Sequence, residues 1–278
     1  MSVTNLYCEG GPKSIDIRVI RQLLPKCEIH PLGGKTSSFL SSIIADRDRQ
    51  PNLACLVDHD FDCQDWPITN EPIRCVYDQI WVGWAWERKE IENYLIDPVV
   101  VREALGKKAP SDSEYQNALD QAAQKIAAYS AARTALACEK FKNLWGDKVR
   151  QGHSFPPKLG EDYCEVRIAE IVRKYKGERI VSEKDVQGKF RDLLPKFKSA
   201  GSRFQNYLHY FAGKDLLYAM RDKLGDWGFE DSSNKKHPEE VFIERVVTRI
   251  ERTDGVWEWL PEWKKLRQLI EETDFSES

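Results

Sequence analysis

Leu53-Ala54-Cys55-Leu56-Val57-Asp58-His59-Asp60-Phe61-Asp62 is the stretch that decides the fold. Five apolar residues run without alternation and then give way to aspartates. An apolar run of this length reads as a strand covered on both faces, as in a parallel sheet. The acids begin where the strand ends, and open α/β sheets bind ligands beyond the carboxyl ends of their strands. Side chains two apart on an extended segment point the same way, so Asp58 and Asp60 can converge on one cation, with Asp62 a candidate third ligand. Mg²⁺, or Mn²⁺ in its place, takes such oxygen ligands and keeps waters for a substrate phosphate. An acidic surface turn would leave the same local sequence.

Upstream, Asn5-Leu6-Tyr7-Cys8 is a short apolar strand ending at Glu9-Gly10-Gly11-Pro12, a sharp turn signal. Ile15, Val19, Ile20, Leu23 and Leu24 follow at helical spacing, and Pro25 marks the exit. Cys27 to His30 gives a second strand, then Gly33-Gly34 and a helix through Phe39, Leu40, Ile43 and Ile44. Downstream, Ile80 to Ala85 predicts the fourth strand, with a helix rich in Glu and Lys after it. This alternation implies a doubly wound parallel sheet with helices on both faces, a Rossmann-like α/β domain over 1–105. A lone Glu-Gly is explained equally well by a surface turn. Glu9 gains its meaning from company, because two strand ends with carboxylates in one sheet point to one site. On the helix after the fourth strand, Glu90 and Glu92 do not share a face, so one can enter the site while the other meets solvent.

After Pro98 the character changes, and residues 106–278 read as a mostly helical domain for nucleic-acid binding or dimerisation. One long Ala-rich helix is predicted over 113–143, about 45 Å long at 1.5 Å per residue, able to brace two parts or pair with a second copy. Further helices are expected at 161–176, 183–198, 203–224 and 238–252, with a loop or hinge from Gly152 to Gly160. Trp257, Trp259 and Trp263 read as core or interface anchors.

The chain of 278 residues has a net charge of −3, which hides an asymmetry. Residues 1–100 hold 10 Lys and Arg against 15 Asp and Glu, net −5, whereas residues 133–224 hold 20 against 12, net +8. That suits an acidic metal site beside a polyanion-binding surface, although solvated helix faces give the same counts. No apolar run is long enough to span a membrane and no leader is evident, so a cytoplasmic protein is expected. Seven cysteines, irregularly spaced and without a CxxC pair, suggest neither a disulfide framework nor zinc, and reduced thiols are expected. A phosphate-cradling GxxxxGK[ST] loop would need a glycine at position 29, where Ile29 stands, so nucleotide hydrolysis of that type is excluded. The five histidines are too dispersed for a metal cluster. His59 lies between two aspartates with its side chain expected to point away from them.

Together these residues resemble the TOPRIM domain shared by topoisomerases, bacterial primases and OLD-family nucleases. Its pattern is a Glu-Gly after the first strand and an Asp-x-Asp after a later buried strand, matched by Cys8-Glu9-Gly10 and Val57-Asp58-His59-Asp60. Glu90-Ile91-Glu92-Asn93-Tyr94-Leu95-Ile96-Asp97-Pro98 is similar to a stretch of the OLD-like branch. Phe211-Ala212-Gly213-Lys214-Asp215-Leu216-Leu217 is similar to a segment of standalone OLD-like TOPRIM proteins. Such proteins are nuclease effectors beside ABC-type ATPases in bacterial anti-phage systems such as PARIS. The resemblance implies a Mg²⁺-dependent endonuclease acting on DNA or RNA, tRNA included, with an ATPase partner, while the long Ala-rich helix points to a homodimer. Catalytic roles fall to Glu9, Asp58, Asp60, Glu92 and Lys214, and metal ligation to Glu9, Asp16, Asp58, Asp60 and Glu92. Related domains place an acid four residues after the first Glu, where Lys13 stands here, and Asp16 is carried over as its replacement. Primase- or topoisomerase-like chemistry competes, though a topoisomerase needs a nucleophilic tyrosine in a further domain. The rival of another class is an inactive TOPRIM subunit that scaffolds or regulates an ATPase.

Overall fold

A computed structural model of the chain describes residues 2–32, 37–139, 141, 155–156, 158–175, 180–230 and 236–275. The Gly33-Gly34 turn and residues 152–154 and 157 of the Gly152–Gly160 loop lie outside these residues. The protein is α/β, with a five-stranded, mostly parallel sheet. Its elements run β1 (Asn5–Cys8), α1 (Ile15–Leu23), β2 (Glu28–Pro31), α2 (Ser37–Arg47), β3 (Leu53–Val57), β4 (Ile73–Tyr77), β5 (Ile80–Ala85), α3 (Ile91–Leu95) and α4 (Pro98–Leu105). The strand order is β2-β1-β3-β5-β4.

β1 pairs in parallel with β2 on one side and with β3 on the other, and β3 pairs in parallel with β5. The chain thus leaves β1 in one direction and resumes at β3 in the other. Right-handed crossovers then put α1 and α2 on opposite faces, and the sheet's topological switch point falls between β1 and β3. All five residues of β3 are buried, as a strand covered on both faces requires. Leu53, Cys55 and Val57 face α2, where they cluster with Phe39, Leu40, Ile43 and Val82.

One strand was not expected. β4 forms an antiparallel hairpin with β5 at the sheet edge, with a bulge between Cys75 and Val76. Asp78 and Gln79 make the two-residue turn, both at positive φ (48° and 66°), the geometry that matches strand twist in tight hairpins. Gly83 lies between Cys55 and Cys75 in the register. A Cβ there would run into the Cys55 backbone, so only glycine lets β5 approach β3 this closely.

By its internal contacts the chain divides into two units, 1–59 with 68–109 and 240–278, and 60–67 with 110–239. This division differs from a single cut after residue 105 in three ways, the first being that residues 60–67 group with the second unit. The linear boundary falls after Ala109, and residues 240–278 group with the sheet because their apolar faces pack there. Trp263 is fully buried, 6.1 Å from the Tyr94 ring, and the Arg18 guanidinium on α1 is held by Glu244 and Glu251.

In the second unit α5 (Asp112–Cys138) starts at a Ser111/Glu114 capping box and ends before the expected residue 143. Its buried alanines permit close packing against the helix Glu183–Phe197. The helix expected over 203–224 is four short ones, Ser202–Gln205, Tyr207–Tyr210, Gly213–Ala219 and Arg221–Asp226. Among the described residues no helix is long and apolar enough to cross a membrane.

Candidate functional site

The strand order sets the site. Glu9 follows β1 and Asp58 follows β3, so the two acids stand at the carboxyl ends of neighbouring parallel strands on either side of the switch point. The backbone N–H of Asp58 donates to Glu9 Oε1 at 3.2 Å. This bond brings the Glu9 carboxylate to the residue that carries the second acid. Gly10 has φ +105°, and a Cβ there would collide with the Ser14 hydroxyl. The glycine is therefore what lets the chain turn directly after Glu9 and enter α1, whose N-cap is Ser14.

Asp16 lies in the first turn of α1. A Cβ on Gly10 would stand 3.5 Å from Asp16 Oδ2, so this carboxylate faces back toward the turn after Glu9. The Cys8 thiol senses the same arrangement. Burial pushes its pKa well up, and the charges of Cys27, Asp16 and Glu9 add to the effect. Glu9, Asp16 and Asp58 are all half-buried.

Beyond Asp58 the chain keeps company with the segment after β5. Trp86 N–H donates to Val57 O (3.0 Å), and His59 N–H to Lys89 O (3.1 Å). His59 Nδ1 lies 3.1 Å from Glu87 O, tying the imidazole to the loop after β5.

That loop corrects an expectation. Instead of a helix directly after the strand, Trp86–Glu90 is irregular and mostly buried, and α3 spans only Ile91–Leu95. The Glu87 carboxylate accepts from the Thr69 hydroxyl and from the backbone N–H groups of Thr69 and Asn70. Arg88 pairs with Asp97 at 2.8 Å, both buried, and also donates to Asn93 O. Glu262, 3% exposed on the helix Pro261–Glu272, accepts from Glu87 N–H (2.8 Å) and from the Tyr94 hydroxyl (2.6 Å). Burial pushes the Glu262 carboxyl up to about 7, against the lowering effect of those two hydrogen bonds. Burial also raises Tyr94, with the Glu262 charge adding to it. Glu92 is 5% exposed on α3, inside this buried region.

Asp60 and Lys214 are exposed and belong to the second unit. Asp62 is not placed as a ligand: its Oδ1 accepts from Gln64 N–H, capping its own turn. Asp215, next to Lys214, is paired with Arg133. Among the described residues no group of three or more His, Cys, Asp or Glu side chains is arranged to hold a metal ion. The structure places Glu9 and Asp58 at the carboxyl ends of β1 and β3, with Asp16 at the start of α1, and Glu92 with the buried network.

The reduced-thiol expectation is also corrected, because Cys63 and Cys138 form a disulfide across 75 residues of sequence. No spacing rule finds such a pair. Sequence reading also missed Glu262, whose partners lie about 170 residues away in the chain, and Arg203, which looks like any other basic residue on a helix. No protein-family profile matches the chain, and no curated protein matches it.

Proposed function

We propose that the protein is a metal-dependent nuclease with a TOPRIM-type first unit. The observation that carries this reading is the pair Glu9 and Asp58, flanking the topological switch point and joined by the 3.2 Å bond from Asp58 N–H to Glu9 Oε1. A hard cation such as Mg²⁺ needs only one or two carboxylates and completes its shell with waters and substrate phosphate oxygens. The donor set at this edge, all carboxylate and half-buried, fits that requirement. Glu9 and Asp58 would hold the ion, with Asp16 behind Gly10. Asp60 enters from its place two residues after Asp58 in the chain, and Glu92 from its motif. A bound divalent ion supplies activation of water and neutralisation of charge on the phosphorus.

Around that chemistry the protein's residues position and attract. The Asp58 N–H fixes the Glu9 carboxylate, and Gly10 lets it project from the strand end. Lys214 and the basic residues of 133–224 neutralise backbone phosphates, giving affinity that carries no sequence preference and falls steeply with salt. The resemblance to standalone OLD-like proteins extends the proposal to an anti-phage effector controlled by an ABC-type ATPase, and the long Ala-rich helix extends it to a homodimer. The second reading, an inactive subunit that scaffolds such an ATPase, is favoured by Lys13, a cation where related domains carry an acid.

Cleavage of single-stranded DNA, duplex DNA and tRNA with and without Mg²⁺ or Mn²⁺ tests the proposal. Metal-dependent cleavage that disappears in Asp58→Ala and in Glu9→Ala is expected. Cleavage surviving both substitutions overturns the mechanism, and co-purification with an ATPase without cleavage establishes the scaffold.

A further inference from the structure

Residues Asp60–Pro67 are secured within the second unit by several kinds of contact. The Arg203 guanidinium, 1% exposed, lies over the rings of Phe197 and Tyr210. It donates to the carbonyls of Asp62 (2.8 Å) and Gln64 (2.7 Å) and to the Asp65 carboxylate (2.6 Å). Burial works against ionised Asp65, but Arg203 and Lys196 outweigh it and hold its pKa below the usual range. The Tyr210 hydroxyl accepts from Trp66 N–H (3.2 Å) and donates to Trp66 O (2.9 Å). Arg133 covers the Phe61 ring at 5.0 Å. Cys63 is bonded to Cys138, the last residue of α5. Of these attachments, the sulfur bond is the one that a thiol reductant opens and a disulfide oxidant closes.

The setting favours exchange at that bond. The two carbonyls held by Arg203 belong to the residues on either side of Cys63, so the backbone there is pinned while the sulfur bond stays available to thiol–disulfide exchange. Cys63 is half-buried between the exposed residues Asp62 and Gln64, which leaves a path for a small reagent. The other five cysteines are outside any disulfide, with Cys8, Cys55 and Cys164 buried. Burial pushes Cys27 and Cys164 up to about 12, so both stay protonated and unreactive near neutrality.

We propose that Cys63–Cys138 is a reversible thiol–disulfide clasp that sets the order of residues 60–67, the segment that follows Asp58. Opening requires a thiol reductant. Its thiolate attacks one sulfur, the Cys63–Cys138 bond breaks, and a mixed disulfide forms. A second thiol releases the protein sulfur, so two electrons pass to the protein and the freed thiolates take protons from water. Closing is the reverse, with a small-molecule disulfide accepting the two electrons. The clasp stands on the geometry of the second unit and does not rest on the nuclease reading.

The full-length protein, equilibrated in mixtures of oxidised and reduced glutathione, is alkylated in denaturant and compared by hydrogen exchange. Oxidised protein is expected to alkylate at the five cysteines outside the disulfide and reduced protein at all seven. The amides of residues 61–66 should exchange on the order of tenfold faster after reduction, with the helix Glu183–Phe197 unchanged. Cys138→Ser should show the fast exchange under both conditions, and Cys27→Ser should keep the redox response. Alkylation of all seven in every mixture, or exchange over 61–66 that ignores the redox state, overturns the proposal. None of these readouts uses cleavage, so an inactive protein still reports on the clasp.

Discussion

Two places in the first unit gather carboxylates and use them in opposite ways. At Glu87, Asp97 and Glu262 the acids are buried and surrounded by protein donors, from Arg88 to the Tyr94 hydroxyl. At the ends of β1 and β3, Glu9, Asp16 and Asp58 are half-buried around a glycine turn. A fully buried carboxylate must be satisfied by the protein itself and is thereby committed to the fold. One within reach of solvent can exchange water for a cation. The difference teaches that carboxylate density alone does not leave acids available to a ligand, and the proposed function rests on the half-buried strand-end acids instead.

The sharpest way to break this comparison is Asp58→Ala. Cleavage is expected to fall on the order of a thousandfold, about 4 kcal/mol of barrier, measured as single-turnover rates with saturating Mg²⁺. A folded variant that cleaves normally would remove the strand ends from the chemistry.

The buried acids should instead reveal themselves through stability and pH. Glu262 rises from an ordinary value of 4.5 to about 7 on folding, chiefly through burial. Below 4.5 folded and unfolded chains both hold the proton, and between 4.5 and 7 only the folded chain does. The stability linked to Glu262 is therefore full in acid and is lost as pH rises through 7, by about 3 kcal/mol in all. Urea unfolding from pH 5 to pH 8 measures it, and Glu262→Gln should flatten that part of the profile. A Glu262→Gln profile that parallels the wild type would mean the carboxyl titrates normally.

Tyr94→Phe should cost about 2 kcal/mol, because Glu262 Oε2 loses its donor and Arg88 N–H its acceptor inside the core. The smallest effect is expected from Glu9→Ala on stability, within about 1 kcal/mol, since the half-buried Asp58 N–H can turn to water. A larger loss in a thermal melt would make Glu9 a structural residue and erase the contrast.

Much of the sheet was legible because local chemistry dictates it. The apolar run Leu53–Val57, the turn residues around Gly10 and the helical spacing in α1 each carry their own signal. The β4–β5 hairpin was harder to read. Ile73–Tyr77 alternates as an exposed edge strand should, but Asp78-Gln79 lacks the glycine or asparagine that usually marks such a turn. Glu87–Lys89 reads as helical from its composition, and nothing nearby in the chain reveals that contacts to Glu262, Thr69 and Asp97 hold it as a buried, irregular segment.

The sequence by itself determined the strand ends, the glycine after Glu9 and the acids at 58 and 60, since these depend on neighbours a few residues apart. Only the tertiary structure decided that β1 and β3 lie side by side with the switch point between them. It also decided that residues 240–278 return to the sheet, and that Cys63 meets Cys138. The physical reason is range: propensity and periodicity act over a turn or a strand. Burial, pairing and sulfur bonding depend on which distant segments exclude water together.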